Sequence, residues 1–374
     1  MTKRAFFLTQ SYLRAMLLVL AVCGLMVSCS SRRLCLEPSE VVPPFAAADV
    51  DSVLFLLGDG GEAEPGGEPA LALLGSALDS AVKAFGTERV RVVFLGDNLY
   101  PNGLADGEQP ELKRKLAAQV QPFESLGAGG SPLGIFVPGN HDWNHSSRDG
   151  LRRIRNQAKY LAEKSGGRVH MLPPNGCPGP VVLDIGQHLR LLVLDTQWFL
   201  RSGIKSGEAD CPDAGSSEAA FNQLRQHLAQ AGQRKVVVVG HHPLVSGGPH
   251  GGRTSIFRRT GLIPQDVSGR NYKRLRKDLE AVFAEHPPLM YAAGHDHSLQ
   301  LQRGDGYPYH VVSGAANLSH LTTVVTSDES IYCRSASGLI RLDFATDGRV
   351  RFSVHIAEGQ EGKVGEVFAT HLDR

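Results

Sequence analysis

Charge of one sign is the first thing this sequence lacks: 39 Lys and Arg stand against 38 Asp and Glu in 374 residues. No sustained basic stripe runs along it and no aromatics interleave with basic residues, so nucleic-acid binding has no support. Cysteines number only six, none in the Cys-x-x-Cys spacing of a zinc site. No Gly-x-Ser-x-Gly elbow follows an apolar run, which removes a Ser/His/Asp esterase. No internal repeat occurs, and no linker is long enough to split the chain. With 42% hydrophobic and 21% charged residues, the composition suits an ordinary globular protein with a substantial core.

Acidic residues are also missing before Cys29. Lys3, Arg4 and Arg14 precede an apolar run from Met16 to Val27 that is too short to span a bilayer, so residues 1–28 read as a secretory signal. Leu25-Met26-Val27-Ser28-Cys29 resembles a bacterial lipoprotein box, and no Asp follows the Cys. The expectation is a lipid on Cys29 as the only membrane contact, in the periplasm or on the outer membrane; plain cleavage and secretion is the alternative. Without the signal, 36 Lys and Arg face 38 Asp and Glu, a net charge near −2. Export implies an oxidising compartment. Cys177 with Cys211 would close one insertion, and Cys35 with Cys333 would tie an N-terminal arm (29–50) to the body (51–374). Four cysteines allow three pairings, and the sequence does not choose.

From Asp51 onward, apolar runs alternate with helical patterns. Strands are expected over 53–57, 90–95, 133–138, 235–239 and 289–293, with a hairpin over 181–185 and 190–194. Helices are expected over 70–85, 111–120, 151–163, 217–231 and 272–285. After Gly294 only strands follow, over 298–302, 309–313, 339–344 and 349–355, with an Asp347-Gly348 turn. Short apolar runs separated by helices argue for an α/β fold with a covered, largely parallel sheet. The late strands argue for a second sheet packed on the first.

Five motifs stand where strands end: Gly58-Asp59-Gly60-Gly61, Gly96-Asp97-Asn98-Leu99-Tyr100, Gly139-Asn140-His141-Asp142, Gly240-His241-His242-Pro243 and Gly294-His295-Asp296-His297. Ligands of open α/β sheets gather outside the carboxyl ends of strands, and a preceding glycine lets the backbone turn sharply there. Asp and Tyr oxygens suit hard, highly charged cations; imidazole and Asn oxygen suit divalent zinc, iron or manganese. One bridging carboxylate would hold two ions roughly 3.5–4 Å apart, as in two-metal hydrolases. Each motif alone is a modest signal, since a strand-end Asp is usually a turn former. Gly-Asn-His-Asp, however, has no packing rationale, because its side chains resist burial unless paired.

Taken together, the five motifs resemble those of the calcineurin-like metallophosphoesterases, and within them the small purple acid phosphatases of the tartrate-resistant type. The superfamily's first motif is usually Asp-x-His; this chain has Asp59-Gly60-Gly61. Purple acid phosphatases also lack that His and place a Tyr three residues after the second Asp, as Tyr100 follows Asp97. The similarity covers roughly residues 51–317. It implies a four-layer α/β/β/α sandwich of two mixed sheets flanked by helices. It also implies Fe(III) at Asp59, Asp97, Tyr100 and His297, and a divalent Fe, Zn or Mn at Asp97, Asn140, His241 and His295. His141 would contact the substrate or protonate the leaving group. His250, nine residues after His241, stands where the family has a second catalytic His; an exposed loop histidine is the other reading. His242 would support a ligand or line the pocket, and Asp142 would orient its neighbours.

The implied activity is hydrolysis of phosphate monoesters, acid phosphatase-like, by attack of a metal-bound hydroxide. The substrate would be a small phosphate ester and the protein a monomer. Two alternatives stay open: a phosphodiesterase or nucleotide hydrolase of the same superfamily, and a non-catalytic surface lipoprotein with this fold. Arg253, Arg258 and Arg259 would draw an anionic substrate, or form a solvated basic loop.

Overall fold

The computed structural model describes residues 41–127, 131–251, 258, 260–303, 308–357 and 364–373. The signal and lipidation readings, Cys35, Arg253 and Arg259 lie outside the described residues. No helix among those described is long and apolar enough to cross a membrane.

Two seven-stranded sheets form the centre. The first contains β1 (Val50–Leu57), β2 (Val90–Phe94), β3 (Gly134–Phe136) and β4 (Val169–Met171), mutually parallel, with β12 (Gly338–Ala345), β13 (Val350–Ala357) and β14 (Val364–Leu372) added antiparallel beyond β1. In the second, β6 (Leu189–Val193), β7 (Lys235–Val239), β8 (Met290–Ala293) and β10 (Tyr309–Ser313) run parallel. β5 (Val181–Ile185), β9 (Leu299–Arg303) and β11 (Ser330–Arg334) pair antiparallel at its sides. Both sheets are therefore mixed.

Helices cover the outer faces. α1 (Pro69–Phe85), α2 (Pro110–Val120) and α3 (Gly150–Ser165) belong to the first sheet, and α5 (Ser217–Ala229) and α6 (Arg270–Glu285) to the second; a short α4 (Thr196–Leu200) follows β6. Alternate residues of one strand serve two cores. Leu54 and Leu56 of β1 and Val93 of β2 enter the core between the sheets, beside Val237 and Val239 of β7. Val53, Phe55 and Leu57 face Leu71, Leu74 and Leu78 of α1. Val236 and Val238 face Leu224 of α5 and Leu275 and Leu279 of α6. A strand buried on both faces must be apolar throughout, which is why these strands read as runs rather than alternations. The result is an α/β/β/α sandwich.

One expectation is corrected. The late strands do not make the second sheet by themselves: β9, β10 and β11 join β5–β8, while β12, β13 and β14 extend the first sheet. Chain order does not reveal which edge a returning strand will pair with, because β1 offers an open side that only the C-terminal strands reach. Part of the expected N-terminal arm is packed against the body. Val41 bridges to Ala369, the Arg351 guanidinium donates to the Val42 carbonyl at 2.8 Å, and Phe45 stacks on His371. Cys177 and Cys211 are joined by a disulfide, and Cys333 is disulfide-bonded too.

Candidate metal centre

The turns after β1, β2 and β8 put their first polar residue in the left-handed region: φ is 62° at Asp59, 52° at Asp97 and 69° at His295. Non-glycine residues adopt this conformation at a cost and cluster at functional sites. The glycines beside them meet a tighter demand. A Cβ on Gly139 would lie 2.2 Å from Asp97 Oδ1, and one on Gly96 would lie 2.4 Å from His241 Nδ1. Each strand-end backbone therefore passes against the polar side chain of a neighbouring motif, and only glycine leaves the space.

Two groups of donor atoms result. In the first, Tyr100 Oη lies 3.3 Å from Asp59 Oδ1, 3.4 Å from Asp97 Oδ2 and 3.2 Å from His297 Nε2. In the second, His241 Nε2 lies 3.1 Å from Asn140 Oδ1, 3.1 Å from His295 Nδ1 and 3.3 Å from Asp97 Oδ2. Asp97 Oδ2 is common to both. The structure thus brings together Asp59, Asp97, Tyr100, Asn140, His241, His295 and His297, all seven of the motif residues expected to bind metal.

Five of the donors are aimed by bonds made elsewhere. Asp59 Oδ2 accepts the His295 main-chain N–H at 2.9 Å, and Asp97 Oδ1 accepts that of His141 at 2.9 Å, so one oxygen of each carboxylate stays turned to the centre. His241 Nδ1 donates to the Leu95 carbonyl at 2.8 Å, His297 Nδ1 to the His320 carbonyl at 2.7 Å and His295 Nε2 to the Gln265 carbonyl at 2.8 Å. Such bonds fix the tautomer and leave a lone pair on the other ring nitrogen. With both imidazoles neutral, the lone pairs of His241 and His295 and the Asn140 oxygen would converge with no hydrogen between them. That arrangement is repulsive on its own and fits a cation. His242, although close to His241 and His295, does not fit. Its Nδ1 bonds the Thr196 hydroxyl at 2.8 Å and its Nε2 the Gln265 amide oxygen at 2.9 Å. It ties the turn after β7 to Thr196 and Gln265.

The convergence of negative charge has electrostatic consequences. Burial opposes protonation of His241, but Asp97 overrides it and pushes this imidazole up to about 9. Burial likewise opposes the protonation of His297, and Asp59 raises it to about 9. Burial first, then Asp97 and Asp59, hold the Tyr100 phenol well above its usual range. Asp142 accepts main-chain N–H groups from Gly139 at 2.7 Å, Asn98 at 3.0 Å and Leu99 at 3.1 Å. It pins the turn after β2 to the turn after β3, the orienting role expected of it.

His141 lies at the rim. Its Nδ1 donates to the Pro101 carbonyl at 2.6 Å, and its Nε2 is 4.0 Å from Asp97 Oδ2. His250 is not a free loop residue: its ring packs on His295 with centroids 4.0 Å apart, and its Nδ1 is 2.7 Å from Asp266 Oδ1. Arg258 is tied to the same Asp266 oxygen at 2.8 Å, so it is engaged rather than solvated.

Sequence reasoning missed several residues here. His145 Nδ1 lies 3.4 Å from the Asn140 amide nitrogen, which turns the amide oxygen toward His241. His320 stacks on His297 at 5.6 Å. Gln265 and Asp266 arrive on a loop. His145, five residues after Asn140, could have been found by scanning for polar residues near a motif. Gln265 and Asp266 belong to no pattern.

Comparison with known proteins identifies the family. The sequence pattern of the calcineurin-like phosphoesterases matches residues 71–299, more than half of the chain. Tartrate-resistant acid phosphatase type 5 of Rattus norvegicus is 29% identical over 230 residues, which are 60% of this chain and 60% of that relative. Purple acid phosphatase PPD1 from seeds of yellow lupin (Lupinus luteus) superposes with a TM-score of 0.56 at 15% identity, covering 87% of this chain and 55% of that one. GAP50, the anchor in the inner membrane complex of Plasmodium, superposes with a TM-score of 0.53 at 16% identity, covering 87% and 89%. At such identities the structural likeness is one of fold. The family pattern spans the turns after β2, β3, β7 and β8, though not the one after β1, and the chain belongs to the calcineurin-like phosphoesterase family.

Proposed function

We propose that the protein is a dinuclear-metal phosphatase acting on small phosphate monoesters, acid phosphatase-like. The observation that carries this reading is Asp97 Oδ2, which reaches Tyr100 on one side and His241 on the other. Asp59, Asp97, Tyr100 and His297 would hold Fe(III). Asp97, Asn140, His241 and His295 would hold a divalent Fe, Zn or Mn. When bound, such a pair lowers the pKa of water and neutralises charge on the phosphoryl oxygens. A phenol buried between two carboxylates favours a trivalent ion at its position.

The chain's own residues supply the rest. His141, oriented through the Pro101 carbonyl, presents Nε2 to a phosphate oxygen or to the departing oxygen, and His250 meets the substrate from the His295 side. Asp142 keeps the β2 and β3 turns in register. Fold alone does not separate an enzyme from an anchor, since both kinds of protein resemble this chain in structure; the complete donor set favours the enzyme.

Colour is the test. Iron-loaded protein should absorb visible light through a Tyr100–ferric charge transfer, and Tyr100→Phe should abolish the band. An active, iron-containing but colourless protein would sink the ferric assignment. Rates on mono- and bis-nitrophenyl phosphate separate a monoesterase from a diesterase, and failure of metal-loaded protein to hydrolyse either would favour the non-catalytic alternative.

We also propose export as a monomer anchored by lipid on Cys29. The Cys177–Cys211 disulfide supports an oxidising compartment. Membrane fractionation of the wild type and of Cys29→Ser tests the anchor, which predicts release of the variant into the soluble fraction.

A further inference from the structure

The loop before α6 puts two consecutive residues on adjacent imidazoles. Gln265 accepts the His295 Nε2–H with its carbonyl at 2.8 Å and bonds His242 Nε2 with its amide oxygen at 2.9 Å. Asp266 holds His250 Nδ1 at 2.7 Å and is fully buried. The His250 backbone is fixed as well. Its N–H donates to Asp296 Oδ1 at 3.0 Å, and its carbonyl accepts from Val267 at 3.0 Å. Only the ring torsions remain, and Asp266 removes them. A buried carboxylate is tolerated when it is paired, and Arg258 Nη1, 2.8 Å from the same oxygen, supplies the charge.

We infer that Asp266 is a positioning residue for the phosphate site: with Arg258 it clamps the His250 imidazole against His295. The inference rests on the proposal that His250 meets the substrate. Holding Nδ1 sets the ring's orientation and leaves Nε2 as its remaining polar atom. Misplacing such a group by about 1 Å can cost on the order of 10²-fold in rate.

The experiment is a double-mutant cycle on the full chain loaded with ferric iron and zinc, with phenyl phosphate as substrate and metal content measured for each variant. Asp266→Ala should lower kcat about 10- to 100-fold, leave KM within about threefold and retain both ions. Asp266→Asn, which keeps an acceptor oxygen, should recover part of the loss. In a His250→Ala background, Asp266→Ala should cost nothing further. The inference is overturned by unchanged kcat in Asp266→Ala, by an equal loss in both backgrounds, or by a loss that follows a missing metal ion.

Failure of the phosphatase proposal would show as inactivity of the wild type itself. Imidazole NMR of the diamagnetic zinc protein then decides about Asp266 separately. A hydrogen-bonded Nδ1–H of His250 should be present in the wild type and lost in Asp266→Ala, and its absence from the wild type refutes the clamp.

Discussion

Asp97 carries the most consequence of any single residue. One of its oxygens is spent on the His141 N–H and the other is shared by the two donor groups. Asp97→Asn should therefore reduce metal content from two ions toward one and lower kcat by at least about 10²-fold, read by elemental analysis and steady-state kinetics. Gly139→Ala places a methyl where Asp97 Oδ1 lies. It should cost a similar factor of about 10²-fold even though no polar group is lost. At this scale the sequence was highly legible. A glycine opens each of the five motifs and announces a sharp turn off the strand, and the seven expected donors converge. What could not be read was His145, His320, Gln265 and Asp266, because their roles arise from where loops land rather than from spacing.

Helices and long strands were legible for a related reason. Val53 to Leu57 or Lys235 to Val239 are runs buried on both sides, and Ala70 to Phe85 repeats every turn of a helix. β4 and α4 span three and five residues, too few for a period to emerge, and β11 carries only three apolar residues between Ser330 and Arg334. The division of the late strands between two sheets was illegible because strand pairing is a long-range choice. Two linkages between elements yield predictions. Asp142→Ala strands the N–H groups of Asn98, Leu99 and Gly139 in a buried turn, and thermal or urea unfolding should show a loss of about 2–4 kcal/mol. The Cys177–Cys211 bridge closes a loop of sequence separation 34. Replacing both cysteines with serine should cost about 2–4 kcal/mol, seen as a lower urea midpoint with the metal centre intact.

For the whole molecule, acid is the stress that matters. His310 is buried, and burial, followed by Arg276, lowers it to about 4; burial also lowers His355 to about 4, against the pull of Glu366. Both pKa values are depressed from 6.5, so between pH 6.5 and 4 the unfolded chain binds more protons than the folded one. The stability they allow is complete above pH 6.5 and declines as the pH falls toward 4. Each should cost about 1.5 kcal/mol between pH 6.5 and 5. Urea unfolding across that range should show the decline, and His310→Phe should remove its share of the slope. An acid rate optimum, if measured, would then sit on the falling limb of the stability curve.

The bonds that aim the centre fix an order of events. Asp59, Asp97, His241, His295 and His297 are all oriented by partners within the chain, so the socket is expected to form on folding and to take its ions afterwards. Chelator-stripped protein should keep its far-UV circular dichroism and regain activity on simple addition of metal, without denaturant. For an exported chain this separates two supply lines: the polypeptide can travel unfolded and metal-free, and take its ions from whatever medium surrounds it at its destination.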